Sequence, residues 1–355
     1  MTQLPASARD FFLTAEDLAH RRHAAGMHGI AAAMAAYFGN RETDPAELAA
    51  ACRGAGLLRG GLLRRGCLPV TRRTRGCLLP TLRGRRYLET AVEEYYLERG
   101  LVESARSSAF RDLCRARQGL EVVQHGSLTG AQLSAVCERV RMLRPRSVLD
   151  LGCGAGEVGT VVAARTGARL FGVDRSASAI SHARESGYPG AAFLRADMET
   201  YVESAPRGSV DLVLAIDALY WIDEMRSVLS DVIEILAPGG RLLCVSSEFD
   251  ESRSGGERCA PEETEVGAAL EELSRERTDL HVETLDFTDE ERSLWLGSLS
   301  LCDEWEEAFA AEGRAYLLRN IVREAEFLEK AMRNGRGGRF LYVVSRAGGA
   351  PMSER

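Results

Sequence analysis

The sequence predicts an α/β protein: a mostly parallel sheet covered by helices, preceded by a mainly helical, winged-helix-like domain and carrying a helical insertion near its end. Three observations predict it. From residue 133 onward, short apolar runs alternate with stretches of helical periodicity, the pattern of strand–helix–strand units. The first of those runs leads directly into three glycines at alternate positions, Gly152, Gly154 and Gly156. Before residue 120 the periodicity is helical, broken only by a glycine- and arginine-rich stretch at residues 54–84. The chain has 355 residues, 45% hydrophobic and 27% charged, which suffices for one large domain and a smaller one. Only 6% are aromatic, so the core must rest on Leu, Val, Ile and Ala.

Each element follows in order. Residues 15–38 carry apolar side chains at helical spacing and end near Gly39-Asn40; Thr43-Asp44-Pro45 opens a second helix at 46–52. The stretch after it holds the apolar pieces Leu57-Leu58, Leu62-Leu63, Cys67-Leu-Pro-Val70 and Cys77-Leu-Leu79. A helix followed by a short β-hairpin is the outline of a winged helix. Residues 87–97 and 107–117 are helical again, and a helix at 133–143 leads into the sheet. Strands are expected at 147–151, 169–173, 192–194, 210–216 and 241–246, with helices at 157–165, 177–185 and 225–236 between them. Pro238-Gly239-Gly240 turns the last helix into its strand. Beyond the loop marked by Gly255-Gly256 and Pro261 come a polar helix at 263–277, a sixth strand at 280–287, an acid-rich helical stretch at 289–332 and a last strand at 339–345. The expected domains are 1–120, 121–346 with its insertion at 289–333, and a disordered tail at 347–355.

Net charge is -7, yet no Asp or Glu lies between Glu47 and Glu89, where ten arginines fall, among them Arg64, Arg65, Arg72 and Arg73. Such a block is either a solvated face or a field that attracts an acidic partner, an acidic peptide or a nucleic acid. Of the aromatic residues only Tyr87 falls in the block, which argues against a base-stacking platform for RNA. The nine cysteines are scattered and form no CxxC pair, so neither a zinc site nor a disulfide framework is expected. No apolar run reaches the roughly 18 residues of a membrane span. With no recognisable leader, the expected location is the cytoplasm and no membrane partner is expected. His20, His23 and His28, with Glu16 one turn before His20, recur at near-helical spacing but complete no ligand set, so no metal is expected.

The chemistry is carried by Ser147-Val-Leu-Asp-Leu-Gly-Cys-Gly-Ala-Gly156. Glycines let the backbone approach a ligand closely, and the helix that follows points its N-terminus at that ligand. These residues resemble the class I S-adenosylmethionine-dependent methyltransferases, whose signature is an acid and G-x-G-x-G after the first strand. The resemblance runs over about residues 133–247 plus the final strand. It implies a Rossmann-like, seven-stranded methyltransferase core with S-adenosylmethionine as cofactor. On this resemblance Asp150 lies near the amino end of the methionine moiety, with Gly152, Cys153, Gly154 and Gly156 forming the loop. Asp174, beside Arg175, holds the ribose hydroxyls, as a carboxylate can accept from both. Asp197 reads the adenine amino group and Met198 packs on the base. A dinucleotide frame, Gly154-Ala-Gly-Glu-Val-Gly159, is also present. It starts two residues late, whereas the three acids match the methyltransferase layout strand by strand.

Methyl transfer is an in-line displacement that the protein mainly aligns. Acceptor contacts belong beyond the end of the fourth strand, in Asp217-Ala-Leu-Tyr-Trp-Ile-Asp223. Asp217, Tyr220 and Trp221 are the candidates there, and Asp217 counts among the cofactor contacts too. His125, in Gln124-His-Gly-Ser-Leu-Thr129, is a candidate general base; in similar enzymes that segment closes over the cofactor. Glu248 is a weaker candidate. Residues 261–344 also resemble an appendage of some small-molecule methyltransferases, which implies a helical lid. Residues 45–50 and 79–88 resemble the winged-helix dimerisation domain of many O-methyltransferases, which implies a homodimer. Three functions follow: methylation of O, N or C on a small, biosynthetic acceptor; methylation of a peptide or RNA docked on the arginine block; or a non-catalytic regulator that binds the cofactor.

Overall fold

The computed structural model describes residues 71–74, 77–80, 101–222, 224–249, 259–333 and 337–347. The expected helices before residue 71, the helix at 87–97 and the tail beyond residue 347 lie outside the described residues, as do His20, His23 and His28. Within the arginine-rich stretch, β1 (Thr71–Thr74) and β2 (Cys77–Pro80) pair antiparallel as a short hairpin.

The central sheet has seven strands. β3 (Ser147–Leu151), β4 (Arg169–Asp174), β5 (Ala191–Arg195), β6 (Val210–Ile216) and β7 (Leu236–Phe249) run parallel; β8 (Leu280–Asp286) and β9 (Gly337–Arg346) complete it in the order β5-β4-β3-β6-β7-β9-β8. β9 is antiparallel to both its neighbours. β3 is buried over its last four residues, as a parallel strand covered on both faces must be. The expected turn at Pro238-Gly239-Gly240 is present inside the β7 ladder. Val210 faces Leu236 and Leu212 faces Arg241, so residues 237–240 loop out between them.

Helices cover both faces. α1 (Leu101–Ala105), α2 (Ser108–Gln118), α3 (Gly130–Leu143), α4 (Glu157–Thr166), α5 (Ala177–Glu185) and α6 (Met198–Ser204) precede α7 (Met225–Ile235) and α8 (Glu265–Glu276). α3 starts where Thr129 and Gln132 form a reciprocal capping box, which satisfies two otherwise unpaired backbone donors. One apolar cluster, including Leu149, Leu229, Ile233 and Leu270, fills the α7–α8 face; a second, including Val136, Val140, Val162 and Leu214, fills the other.

The insertion is three helices: α9 (Thr288–Asp303), α10 (Glu306–Ala311) and α11 (Ala315–Arg333). They pack on α2 through Phe110, Leu113, Cys302, Phe309, Leu317 and Ile321. Glu312 seals this joint, accepting from the Ser107 hydroxyl (2.6 Å) and from the Ala109 N–H (2.9 Å) at the start of α2. Among the described residues no helix is long and apolar enough to cross a membrane, and no group of three His, Cys, Asp or Glu could hold a metal.

Candidate functional site

The chain leaves β3 toward β4 and β5 on one side and returns to β6 on the other. Open α/β sheets bind ligands at the carboxyl ends of the strands flanking such a switch point. A cleft opens there. Its lining includes Asp150, Gly152, Cys153, Gly154, Asp174, Arg175, Asp197, Met198, Asp217 and Tyr220, together with Val123, Gln124, His125 and Gly126. Of the expected residues, Gly156 lies one step behind the wall as N-cap of α4. The described residues of the insertion contribute none of this lining.

The glycine loop owes its shape to its backbone. Gly152, Gly154 and Gly156 all have left-handed φ, at 71°, 52° and 80°, a region that side chains disfavour. The N–H groups of Gly152 and Cys153 both donate to the Val173 carbonyl (2.9 and 3.1 Å). The Gly154 N–H donates to Asp174 Oδ2 and the Ser176 N–H to Asp174 Oδ1, each at 2.8 Å. Asp174 is thereby oriented at the end of β4.

Asp150 and Asp174 are both buried, at 5% and 8% exposure. Burial first, and then the Asp174 charge, push the Asp150 carboxyl up to about 7. Burial likewise lifts the Cys153 thiol, helped by the same two carboxylates. The pocket floor is therefore a pair of desolvated acids, a setting that favours a positively charged ligand. Asp197 is exposed and caps α6, accepting at Oδ1 from the N–H groups of Glu199 and Thr200. Met198 reaches the glycine loop, its Cε lying 3.5 Å from where a Cβ on Gly152 would sit.

On the other side of the cleft, the irregular segment 119–129 crosses between α2 and α3. Val123 N–H donates to Glu157 Oε2 (3.0 Å) on α4, whose carboxylate also takes both arms of Arg111 (2.8 and 2.9 Å). His125 tilts against Phe110, with ring centroids 5.3 Å apart. Ser127 N–H donates to Asp217 Oδ2 (3.0 Å).

Asp217 itself sits just past β6 with φ 51°. Both its oxygens accept from Arg339, at 2.7 and 3.0 Å. The carboxylate proposed for acceptor contact is thus committed to a buried guanidinium. Tyr220 lines the cleft, while the Trp221 side chain lies outside what is described. Glu248 accepts from the Glu265 N–H at the start of α8. Sequence reasoning assigned no role to Glu157, Gly126, Glu291 or Arg339. Glu157 pairs with Val123, 34 residues away, and Arg339 with Asp217, 122 away, and no local pattern encodes such pairs.

Residues 145–291 match the profile of a family described as a methyltransferase domain. That match spans the glycine loop and the three acids Asp150, Asp174 and Asp197. A trans-aconitate 2-methyltransferase of Delftia acidovorans is 34% identical over 105 residues, 29% of this chain and 39% of that protein. A ubiquinone biosynthesis O-methyltransferase of Paracidovorax citrulli is 31% identical over 102 residues, 28% of this chain and 42% of that protein. The chain thus spans about two fifths of the length of the curated relatives it matches. Among solved structures, Haemonchus contortus phosphoethanolamine N-methyltransferase 2 in complex with S-adenosyl-L-methionine is similar in fold. Its TM-score is 0.56 at 17% identity, covering 71% of this chain and 59% of that one. The [4+2]-cyclase SpnF is similar at TM-score 0.50 and 17% identity, covering 70% and 95%. A protein named a cyclase shares this fold, so the reaction must be argued from the site.

Proposed function

We propose that this chain is an S-adenosylmethionine-dependent methyltransferase acting on O, N or C of a small-molecule acceptor. The observation that carries it is the buried acid pair, Asp150 and Asp174, at the glycine loop. Among the described residues no cation offsets Asp150, and S-adenosylmethionine brings an ammonium and a sulfonium. Bound there, it supplies a methyl group already activated on sulfur. Asp174 would accept from the ribose hydroxyls, and Asp150 would face the ammonium. Asp197 and Met198 would meet the adenine. Tyr220 and His125 face the remaining open side, where the His125 imidazole would take a proton from an O–H or N–H acceptor. Asp217, held by Arg339, would position this wall rather than move the proton.

The relatives align over only 29% and 28% of this chain, so their acceptors do not carry over. The arginine block favours a second reading, an acidic peptide or nucleic acid as acceptor or partner. Its arginines lie outside the described residues except Arg72 and Arg73 on β1, as does the region expected to form a homodimer apart from residues 79–80 on β2. Calorimetric titration with S-adenosylmethionine, S-adenosylhomocysteine and NAD, on wild type and Asp174→Ala, tests the main reading. Micromolar binding of both sulfur ligands is expected, weakened by about 10- to 100-fold in the variant through lost charged hydrogen bonds. Binding of NAD alone would overturn it.

A further inference from the structure

Arg339 is the largest polar side chain sealed from solvent in the described fold, at 0% exposure. It lies on β9, within the sheet, yet every arm of its guanidinium is engaged. Nε donates to Gln132 Oε1 (3.0 Å), Nη1 to Asp217 Oδ1 and to Ser247 Oγ (both 2.7 Å), and Nη2 to Asp217 Oδ2 (3.0 Å). A second carboxylate, Glu291, also at 0% exposure, stands 3.8 Å from Nη1. It is held in turn by the Ser247 hydroxyl (2.9 Å) and the Trp295 indole N–H (3.3 Å).

Burying two carboxylates and a guanidinium costs desolvation that apolar packing of the same volume avoids. Stability alone therefore gives no reason for this group. Its position does. Asp217 occupies a left-handed backbone conformation, uncommon outside glycine. From there its Oδ2 accepts the Ser127 N–H across the mouth of the cleft. The approach is so close that a Cβ on Gly126 would fall 2.0 Å from Oδ2. The Gly126 carbonyl is fastened from behind by Gln118 Nε2 (2.8 Å). The other end of the segment is fastened by Glu157 through Val123. His125 thus rides on a strap with one anchor on α4 and the other on Asp217. Arg339 also ties the insertion to this anchor: its N–H donates to Thr288 Oγ1 (3.1 Å) and its carbonyl accepts from the Phe287 N–H (2.8 Å), at the start of the helix that bears Glu291.

We propose that Arg339 is the positioning residue of the cleft: by gripping Asp217 with two hydrogen bonds, it holds the strap 122–128, and with it His125, against the cofactor pocket. What the strap covers rests on the cofactor reading above; the grip itself does not. Amide hydrogen exchange of ligand-free wild type and Arg339→Lys tests it, because lysine keeps the charge and loses the two-armed geometry. Amides of residues 122–128 are expected to exchange about tenfold faster or more in the variant, while β3 and β4 keep wild-type protection. Unchanged protection in the strap, or equal acceleration throughout the sheet, overturns the proposal. Should Arg339→Lys fail to fold, Asp217→Asn decides by the same measurement, since it keeps the shape while removing one carboxylate acceptor. Faster exchange confined to the strap supports the proposal, and none there overturns it. Titration of wild type with S-adenosylhomocysteine is a separate arm. Failure to bind would remove the cofactor reading while the exchange result still decided the grip.

Discussion

Asp150 links the sequence motif to a measurable pH dependence. Burial beside Asp174 raises its carboxyl from 3.8 to about 7, so between those values the folded state holds a proton that the unfolded state has lost. Stability of the ligand-free protein therefore falls as pH rises through that window and levels above it. A ligand that sets an ammonium against Asp150 favours the ionised form, so its affinity changes in the opposite sense. S-adenosylhomocysteine binding is expected to strengthen roughly tenfold from about pH 5.5 to 8 and to lose that slope in Asp150→Asn, as read by calorimetry. Gly159, on the first turn of α4, tests the same carboxylate sterically. A Cβ there would lie 2.3 Å from Asp150 Oδ2. Gly159→Ala gains up to about 1 kcal/mol of helix propensity but loses about 1–3 kcal/mol to overpacking. The expected outcome is a net loss of about 1 kcal/mol in urea denaturation, with weakened ligand binding. Asp150, Asp174 and the glycines are legible in the sequence because strand, acid and turn are contiguous. The grip of Arg339 on Asp217 is not, because the two are 122 residues apart in the chain.

At the scale of elements, periodicity locates strands and helices closely. The strand at 147–151 is found as expected, and the one at 192–194 gains a residue at each end. The stretch at 289–332 reads as one helical region, yet it is broken between α9 and α10 and again around Gly313, whose φ is 69°. That second break puts Glu312 against the start of α2. Burial opposes its charge, but the hydroxyls of Ser107 and Ser108 and the Ala109 N–H pull its carboxyl down to about 2. A carboxylate so depressed contributes stability that is present above about 4.5 and lost as pH falls toward 2. Glu312→Ala is expected to cost about 1–2 kcal/mol at pH 7, the scale of a lost helix cap. Denaturation curves at pH 7 and about pH 2.5 check this, since the gap to wild type should shrink at the lower pH.

For the whole molecule, charge is the property most unevenly distributed. The net value of -7 conceals an arginine block opposed by no acid in its own sequence. Under the small-molecule reading that block is a solvated face. Reversing Arg64, Arg65, Arg72 and Arg73 to Glu should then leave cofactor binding and turnover of a small acceptor unchanged. Loss of methyl transfer with cofactor binding intact would move the reading to a docked acidic macromolecule, whose attraction would also weaken with salt.

The sequence by itself determined the strands and helices of the core and the loop with its acids. Each is written in residues that are neighbours along the chain, where period and turn chemistry act locally. Only the tertiary structure decided what surrounds Asp217. Its carboxylate is engaged by a guanidinium from the last strand, its backbone faces Val245, and the strap that carries His125 is fastened across it. Those partners meet because the antiparallel β9 inserts between β7 and β8, bringing residue 339 against residue 217. Charges brought together in a desolvated interior must pair, and which charges meet is set by topology rather than by local sequence.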